Sequence, residues 1–539
     1  MVITPNSKVK LLKCPLKLDQ NNEMTFASAT AQFNYFNSLP KLEYDNLTYI
    51  RKDGVLRIET DDDNTTTGLV TYEDLLGYNF CMYQNTHFKD KWFYAYITEV
   101  NWINPSLTEL KIETAYFQTW QFDLVYKDSY IEREHVNDDT RGKNLVAENI
   151  PVDEYIIDQS RENVFFNKNT FVPVFAVTEI ARHNGMQNIP FVSIQGNVFA
   201  GMCYIVPMGN GTADALVRLY DEQGHADSIK YMFMCPSELV EISDYVYAGY
   251  LADGTTPYVY GVIDNNTSYN VNTGLYDKPT TLDTYQPKNN KMLQFPYCFL
   301  SIDAHNGNVY NYNYEDINAN KYSLECDAML SVGCSIKYIV PMYKVNSASS
   351  MGHYTYGFTG IKFPPCAWVS DTYTNWLTQN AVNQGINMLT GITNVVGGLF
   401  TANISQVQGG ISGILGTMAT DHKASMQADQ VRGNENAGDI NFAIGLVNPI
   451  MNEMSIKRGQ AKIIDDFFTM FGYKVNRLGT PHIHARTYFD YIKTIDVNLE
   501  GNIPEHDLNE IKKMFDNGIR FWHDTTKFLD FSVTNSIIT

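Results

Sequence analysis

The sequence has no stretch of about 18 uninterrupted apolar residues, which excludes a conventional transmembrane helix. It has no basic run either: 60 Asp and Glu against 40 Lys and Arg leave a formal charge of -20. That balance argues against a protein that grips DNA, because phosphate binding rests on clustered Lys and Arg. The same acidity suits a wall past which DNA slides without sticking, and it equally suits ordinary solubility from surface carboxylates. Cysteine is scarce and scattered. Cys14, Cys81, Cys203, Cys235, Cys298, Cys326, Cys334 and Cys366 form no C-x-x-C pair, so neither a zinc site nor a redox motif is implied and buried, reduced thiols are expected. The opening MVITPNSKVKLLKCPLKL lacks an apolar core ahead of a small-residue cleavage site. No secretory signal is read there, and synthesis in a cytoplasm is expected.

Charge is missing altogether from residues 372–420. Within them lies GINMLTGITNVVGGLFTANISQVQGGISGILGTM, from Gly385 to Met418. Ile386, Leu389, Ile392, Val395 and Leu399 recur every three or four residues, with Val396 and Phe400 beside them. Ile404, Val407, Ile411, Ile414 and Met418 recur likewise, with Leu415 beside them. That is a helical period rather than a strand alternation. Eight glycines between Gly385 and Gly416 oppose it. Each costs roughly 1 kcal/mol against alanine inside a helix, so neither arm is expected to be stable alone in water.

With 539 residues the chain has room for several domains, and its 36 tyrosines and 29 phenylalanines point to a β-rich protein. TYIRK and VLRIE flank Asp53-Gly54, a two-residue hairpin signal. WFYAYITEVNWI and LTELKIETAYF flank Asn104-Pro105-Ser106, and in the second arm Leu110 and Ile112 alternate with Glu109, Lys111 and Glu113, so one face is buried and the other meets solvent or a lumen. More short strands, separated by Asn, Asp and Gly clusters, are expected from about Pro151 to Trp376. Towards the end, Ile456, Ile463, Phe467 and Phe471 predict a helix closed by Gly472 in a left-handed cap. Strands at Tyr473–Arg477 and Arg486–Val497 follow, then a helix with Leu508, Ile511 and Phe515 inward, stopped at Asn517-Gly518, and a strand at IRFWH. That order resembles part of a split β-α-β unit. The expected layout is two β-rich regions (1–150 and 151–370), the apolar segment with a polar exit (371–440) and an α+β unit (441–539). The fold class is mainly β with an α+β C-terminal unit.

Signs of chemistry are few. GNGTAD at Gly209 lacks the third glycine of a dinucleotide loop, and the helix after it reads as weak. Asp61-Asp62-Asp63 lacks the glycine and distal glutamate of a calcium loop and reads as a solvated turn. His482 and His484 sit two apart, as if on one strand face, without a third ligand at short spacing. Glu132, Glu134, Asp138 and Asp139 offer carboxylates for a glycosidase pair, but separation is not legible in sequence. Neither H-E-x-x-H nor G-x-S-x-G occurs. No catalytic residue, metal or cofactor is expected, and the protein reads as a non-enzyme.

YQNTHFKDKWFYAYITEV, FQTWQFDLVYKDSYIEREHV, FGYKVNR, FDYIKT and DLNEIKKMFDNGIRFWH resemble the tail knob, or distal tail tube, proteins of short-tailed phages similar to phi29. The resemblance covers both ends of the chain well and its middle only loosely. It implies a virion tail protein: a homohexamer with β-barrel tube-type domains, hung below the lower collar, with phage genomic DNA passing through the lumen. It also implies that an apolar loop from each subunit plugs the lumen and later breaches the host cell membrane during genome ejection. Gly385 to Met418 occupies the position of that loop. Two rivals remain: an adhesive knob binding host-surface polymer through tyrosine-rich loops of the middle region, and a cell-wall hydrolase.

Overall fold

A computed structural model describes residues 7–366 and 446–538. Residues 1–6, 367–445 and 539 lie outside the described set, as do 64–68, 86–90, 168–169, 189–192, 195–197, 200–202, 209–212, 226–227, 251–253, 256, 264–267, 330–334, 347–354 and 361–364. The chain divides into two compact units. Met1–Asp153, Thr284–Leu293 and Lys457–Thr539 make the first, and Glu154–Asp283 and Gln294–Ile456 make the second. Mainly β structure, expected from the aromatic content, is what both contain.

The first unit is built on a six-stranded antiparallel sheet, in the order Lys41–Leu47, Ser7–Leu12, Phe80–Asn85, Phe93–Asn104, Leu107–Thr114, Val55–Glu59. Successive side chains of a strand point to opposite faces. Cys81 and Tyr83 therefore join Val9, Leu11 and Ala95 on one face, while Phe80 and Met82 join Tyr94 and Tyr96 on the other. The second face is closed by the helix Ala29–Ser38, capped where Ser28 Oγ accepts the Ala31 N–H at 3.1 Å, and its Phe36 stacks on Phe80 with ring centroids 5.4 Å apart.

The hairpin expected around Asn104-Pro105-Ser106 forms, with Leu110 and Ile112 buried. Its outward side is charge-mixed, because Glu109 pairs with Arg57 at 3.1 Å and Lys111 with Glu99 at 2.9 Å. The hairpin expected around Asp53-Gly54 does not form. A turn is present, with Asp53 at φ 51°, but the strands on either side of it lie at opposite edges of the sheet. Asp53 Oδ1 instead accepts the Thr114 N–H and Oγ1–H, each at 2.7 Å, so the turn's side chain clamps a strand far along the chain.

The C-terminal segment shows the expected order of elements, and its helix Arg458–Phe471 ends at Gly472. Two corrections apply. Ile456 belongs to the preceding strand and Ile463 is 65% exposed; the buried face is Ala461, Ile464, Asp465, Phe468 and Thr469. Gly472 has a positive φ of 62° but ψ -157°, which is extended rather than left-handed helical and sends the chain straight into the strand Tyr473–Gly479. That strand and Phe489–Ile495 both pair antiparallel with Ser129–Glu134, which lies between them, so they are parallel and split; no helix connects them. Asn22–Met24 and Ile519–Trp522 complete this five-stranded sheet. The helix Glu505–Asn517 covers it with Ile511 and Phe515 buried, as the spacing predicts.

The second unit holds three larger sheets. A four-stranded sheet runs Tyr155–Glu162, Ile450–Ile456, Cys298–Asp303, Val309–Tyr312. A six-stranded sheet runs Ile242–Tyr250, Pro257–Ile263, Cys203–Met208, Phe171–Val177, Ile229–Pro236, Pro365–Cys366. Another four-stranded sheet runs Ser268–Asn272, Glu325–Met329, Ser335–Ile339, Phe358–Thr359.

A Cβ on Gly472 would run into the Glu134 carbonyl at a positive φ, whereas one on Gly459 in the same helix meets nothing within 4 Å. Gly472→Ala is therefore expected to destabilise the first unit by more than about 1 kcal/mol, and Gly459→Ala to be neutral or slightly stabilising. Denaturant midpoints at unchanged slope check this; equal midpoints for the two variants would contradict it.

Candidate functional site

All thirteen loop positions, Ile386, Leu389, Ile392, Val395, Val396, Leu399, Phe400, Ile404, Val407, Ile411, Ile414, Leu415 and Met418, lie outside the described residues. The chain on either side of that segment is described, and both flanks belong to the second unit. The upstream flank is short: Pro365–Cys366 pairs with Phe233 and Met232 at the edge of the six-stranded sheet.

The downstream flank is far more strongly held. Asn448, 2% exposed, accepts the N–H groups of Phe165 and Phe166 on Oδ1, both at 3.0 Å, and its Nδ2 donates to the Phe166 carbonyl at 2.9 Å. Asn163 N–H donates to the Pro449 carbonyl at 3.0 Å. The chain then enters Ile450–Ile456, an inner strand paired on both sides. Glu453 on that strand is met by the Arg161 guanidinium and by the Tyr322 hydroxyl, the latter at 2.7 Å. A carboxylate buried in a sheet needs such partners, because an unpaired charge there costs several kcal/mol.

The other flagged residues are occupied by structural partners. Asp62 accepts the Tyr72 N–H at 2.6 Å and the Trp102 indole N–H at 2.7 Å, tying a turn to the long hairpin. Glu132 pairs with Lys493 at 2.8 Å and buried Glu134 with Arg477 at 2.5 Å. Asp138 accepts the Thr140 N–H at 2.9 Å. Asp139 accepts the Tyr473 hydroxyl at 2.7 Å and the Asn290 N–H at 2.8 Å, and burial raises its pKa. His482 and His484 lie on the connection between strands, not on a strand face. The His484 ring packs edge-on to His523, centroids 4.2 Å apart, and His523 Nε2 donates to Asp490 at 2.8 Å. Among the described residues no group of three or more His, Cys, Asp or Glu is placed to hold a metal ion. The loop at Gly209 lies outside the described residues, but a ten-residue helix, Ala213–Glu222, follows it where a weak one was expected. Cys14, Cys81, Cys203, Cys235, Cys298 and Cys326 are buried and free of disulfides, and burial pushes the Cys14 and Cys81 thiols up to about 12.

Sequence reasoning missed the buried polar anchors. Asp465, with no exposure, accepts from Tyr285 OH at 2.8 Å, Lys288 N–H at 2.7 Å, Asn289 N–H at 3.1 Å and Asn289 Nδ2 at 2.8 Å, and so fastens Thr284–Leu293 into the first unit. Asp507 likewise accepts the Trp120 indole N–H at 2.9 Å. His135 accepts the Tyr491 N–H on Nδ1 at 2.9 Å and donates from Nε2 to the Thr469 carbonyl at 3.1 Å. Burial pushes this neutral imidazole down to about 4. The signal for Asn448 was a lone amide in the apolar run LVNPIM.

A family model described as the C-terminal domain of the Bacillus phage phi29 tail knob protein gp9 matches residues 259–536, more than half of the chain. The chain belongs to the gp9 tail knob family. A second model, the N-terminus of the caudoviral major tail protein, matches residues 5–126. Along nearly its whole length the chain is similar to tail knob protein gp9 of Bacillus phage phi29 (25% identity, 98% of each chain) and to that of Bacillus phage B103 (23% identity, 97% of each). Its fold is similar to that of the bacteriophage C1 tail knob protein gp12, with a TM-score of 0.64 at 14% identity over 99% of this chain and 100% of the other. As a tail knob protein the chain is a structural component of a short-tailed phage virion.

Replacing Asn448 by Leu strands two buried N–H groups and a carbonyl, each costing about 1–3 kcal/mol. Asn448→Leu is expected to lower the second unit's stability by at least about 2 kcal/mol and to accelerate hydrogen exchange at Phe165 and Phe166. Parental exchange rates at both amides would show that Asn448 does not hold this flank.

Proposed function

We propose that six copies of this chain form the distal tail tube below the lower collar and conduct the phage genome, and that residues 371–440 carry a plug which opens to breach the host cell membrane. The observation that carries the reading is the uncharged stretch 372–420 in a chain of formal charge -20. Membership in the tail knob family supports the location. In this reading the open sheets of the N-terminal region close into a barrel between subunits. The lumen is acidic or neutral, since a continuous row of Lys or Arg would hold the DNA by releasing its counterions and slow its exit.

The physical case for the loop rests on its composition. Six loops inside a tube bury one another's apolar stripes, whereas one exposed loop is an aggregation hazard. Glycine-weakened helicity leaves little structure to break on exit. Each arm is about 15 residues, or roughly 22 Å as helix, against a hydrocarbon core of about 30 Å, so crossing requires a thinned bilayer or help from flanking residues. Asn394, Asn403, Gln406 and Gln408 must then face each other or a water-filled centre, a condition that a ring of copies meets and a single copy does not.

One charge near the bilayer centre costs about 2.5–3.5 kcal/mol, and six symmetric copies on the order of 15–20 kcal/mol if they act independently. Val396→Asp or Ile411→Asp is therefore expected to leave the folded oligomer intact while abolishing dye release from liposomes by the exposed segment. Phage carrying either change should adsorb normally and fail to deliver DNA, with Val396→Ile behaving as the parent. Parental dye release and DNA delivery by the Asp variants would remove membrane breach and leave an adhesive knob without membrane activity as the better reading.

A further inference from the structure

The strand Ile242–Tyr250 is the outermost strand of the second unit's six-stranded sheet. Val246 and Ala248 point inward and are buried. Tyr245 and Tyr247 point the other way, 62% and 37% exposed, and after a bulge between Tyr247 and Gly249 the exposed side chain is Tyr250, at 60%. Edge strands of soluble proteins ordinarily present charge or proline, and here three aromatic rings stand on one face.

The rings are held in place. Tyr247 and Tyr250 meet edge to face with centroids 5.8 Å apart, and the His183 ring lies 5.4 Å from Tyr247. The His183 N–H donates to the Tyr247 carbonyl at 3.4 Å. Beside the first ring, Asp244 is exposed, with Oδ1 accepting the Tyr245 N–H at 2.8 Å, and Glu241 is exposed just before the strand.

We propose that this face binds an uncharged glycan chain. The axial C–H bonds of a hexose carry partial positive charge and lie flat against the electron-rich face of a phenol ring. Tyrosine adds a hydroxyl that exchanges hydrogen bonds with sugar hydroxyls, and its two-torsion side chain loses little entropy on contact. Residues two apart on a strand stand about 7 Å from each other, on the scale of one sugar unit. Charge complementarity selects among polymers: Asp244 and Glu241 accept hydrogen bonds from neutral hydroxyls and repel phosphate-bearing chains. Two irregularities in the pairing, at Ile242/Asp244 and Tyr247/Gly249, bend the strand away from the regular edge that a docking peptide strand needs. The proposal does not depend on membrane breach and adds a wall-contacting surface to the tail knob.

The test uses the intact protein on a biosensor with three neutral polysaccharides (dextran, a rhamnan and a galactan) and with polyglycerol phosphate as the anionic arm. At least one neutral polymer is expected to bind with little salt dependence. Tyr245→Ala and Tyr250→Ala should each weaken that binding about tenfold, while the Phe variants stay within about threefold. Because these positions are exposed, parental thermal midpoints are expected for all four. The proposal is overturned by failure of all neutral polymers, by tighter binding of polyglycerol phosphate, or by parental affinity in the Ala variants. It is equally overturned if the Ala variants abolish a concentration-dependent self-association of the parent, since the face then meets a second copy.

Discussion

The second unit is completed by a strand that arrives only after the apolar segment. Ile450–Ile456 is an inner strand, paired with Tyr155–Glu162 on one side and Cys298–Asp303 on the other, so that sheet cannot form until the chain has returned from residue 366. Closing a long excursion is entropically cheap per added residue, about 0.6 kcal/mol for each doubling of length. Inner-strand pairing, the three bonds of Asn448 and the Arg161–Glu453–Tyr322 cluster therefore fix the return firmly whatever the excursion contains. A segment tethered in this way is free to have a composition that no folded core would choose: charge-free, apolar and rich in glycine.

The two flanks are unequal in a way that matters for that reading. Upstream, a two-residue strand pairs at a sheet edge; downstream, an inner strand and a buried amide hold the chain. Local opening starts where few buried bonds must be broken, so the upstream side has the lower barrier to unzipping. A plug that must leave its shelter while its subunit stays folded is served by such an asymmetry.

What was legible in the sequence follows from where the information sits. The hairpin through Asn104-Pro105-Ser106 was legible because its turn and its alternation agree and its partner is adjacent. At Asp53-Gly54 the turn was legible but the pairing was not, because partners set by non-local contacts leave no mark on the turn residues. The helix Arg458–Phe471 was legible in its extent and its closing glycine. Its buried face was misread because Asp465 and Thr469 point inward, and their partner Asn289 comes from a distant segment. The return of Thr284–Leu293 to the first unit was illegible for the same reason. The tyrosines of the middle region were legible as composition; only the strand geometry gathers Tyr245, Tyr247 and Tyr250 onto one face.

The account therefore separates a folded scaffold of strands and buried polar anchors from a segment it carries for another purpose. Replacing Gly385 to Met418 by a short Gly/Ser linker tests that separation most directly, with sedimentation of the purified protein and dye release from liposomes measured together. The account predicts the parental oligomer and the parental thermal midpoint, with dye release lost. A shift to monomers, or a fall in the midpoint comparable to losing a core element, would place the segment inside the scaffold and contradict the claim.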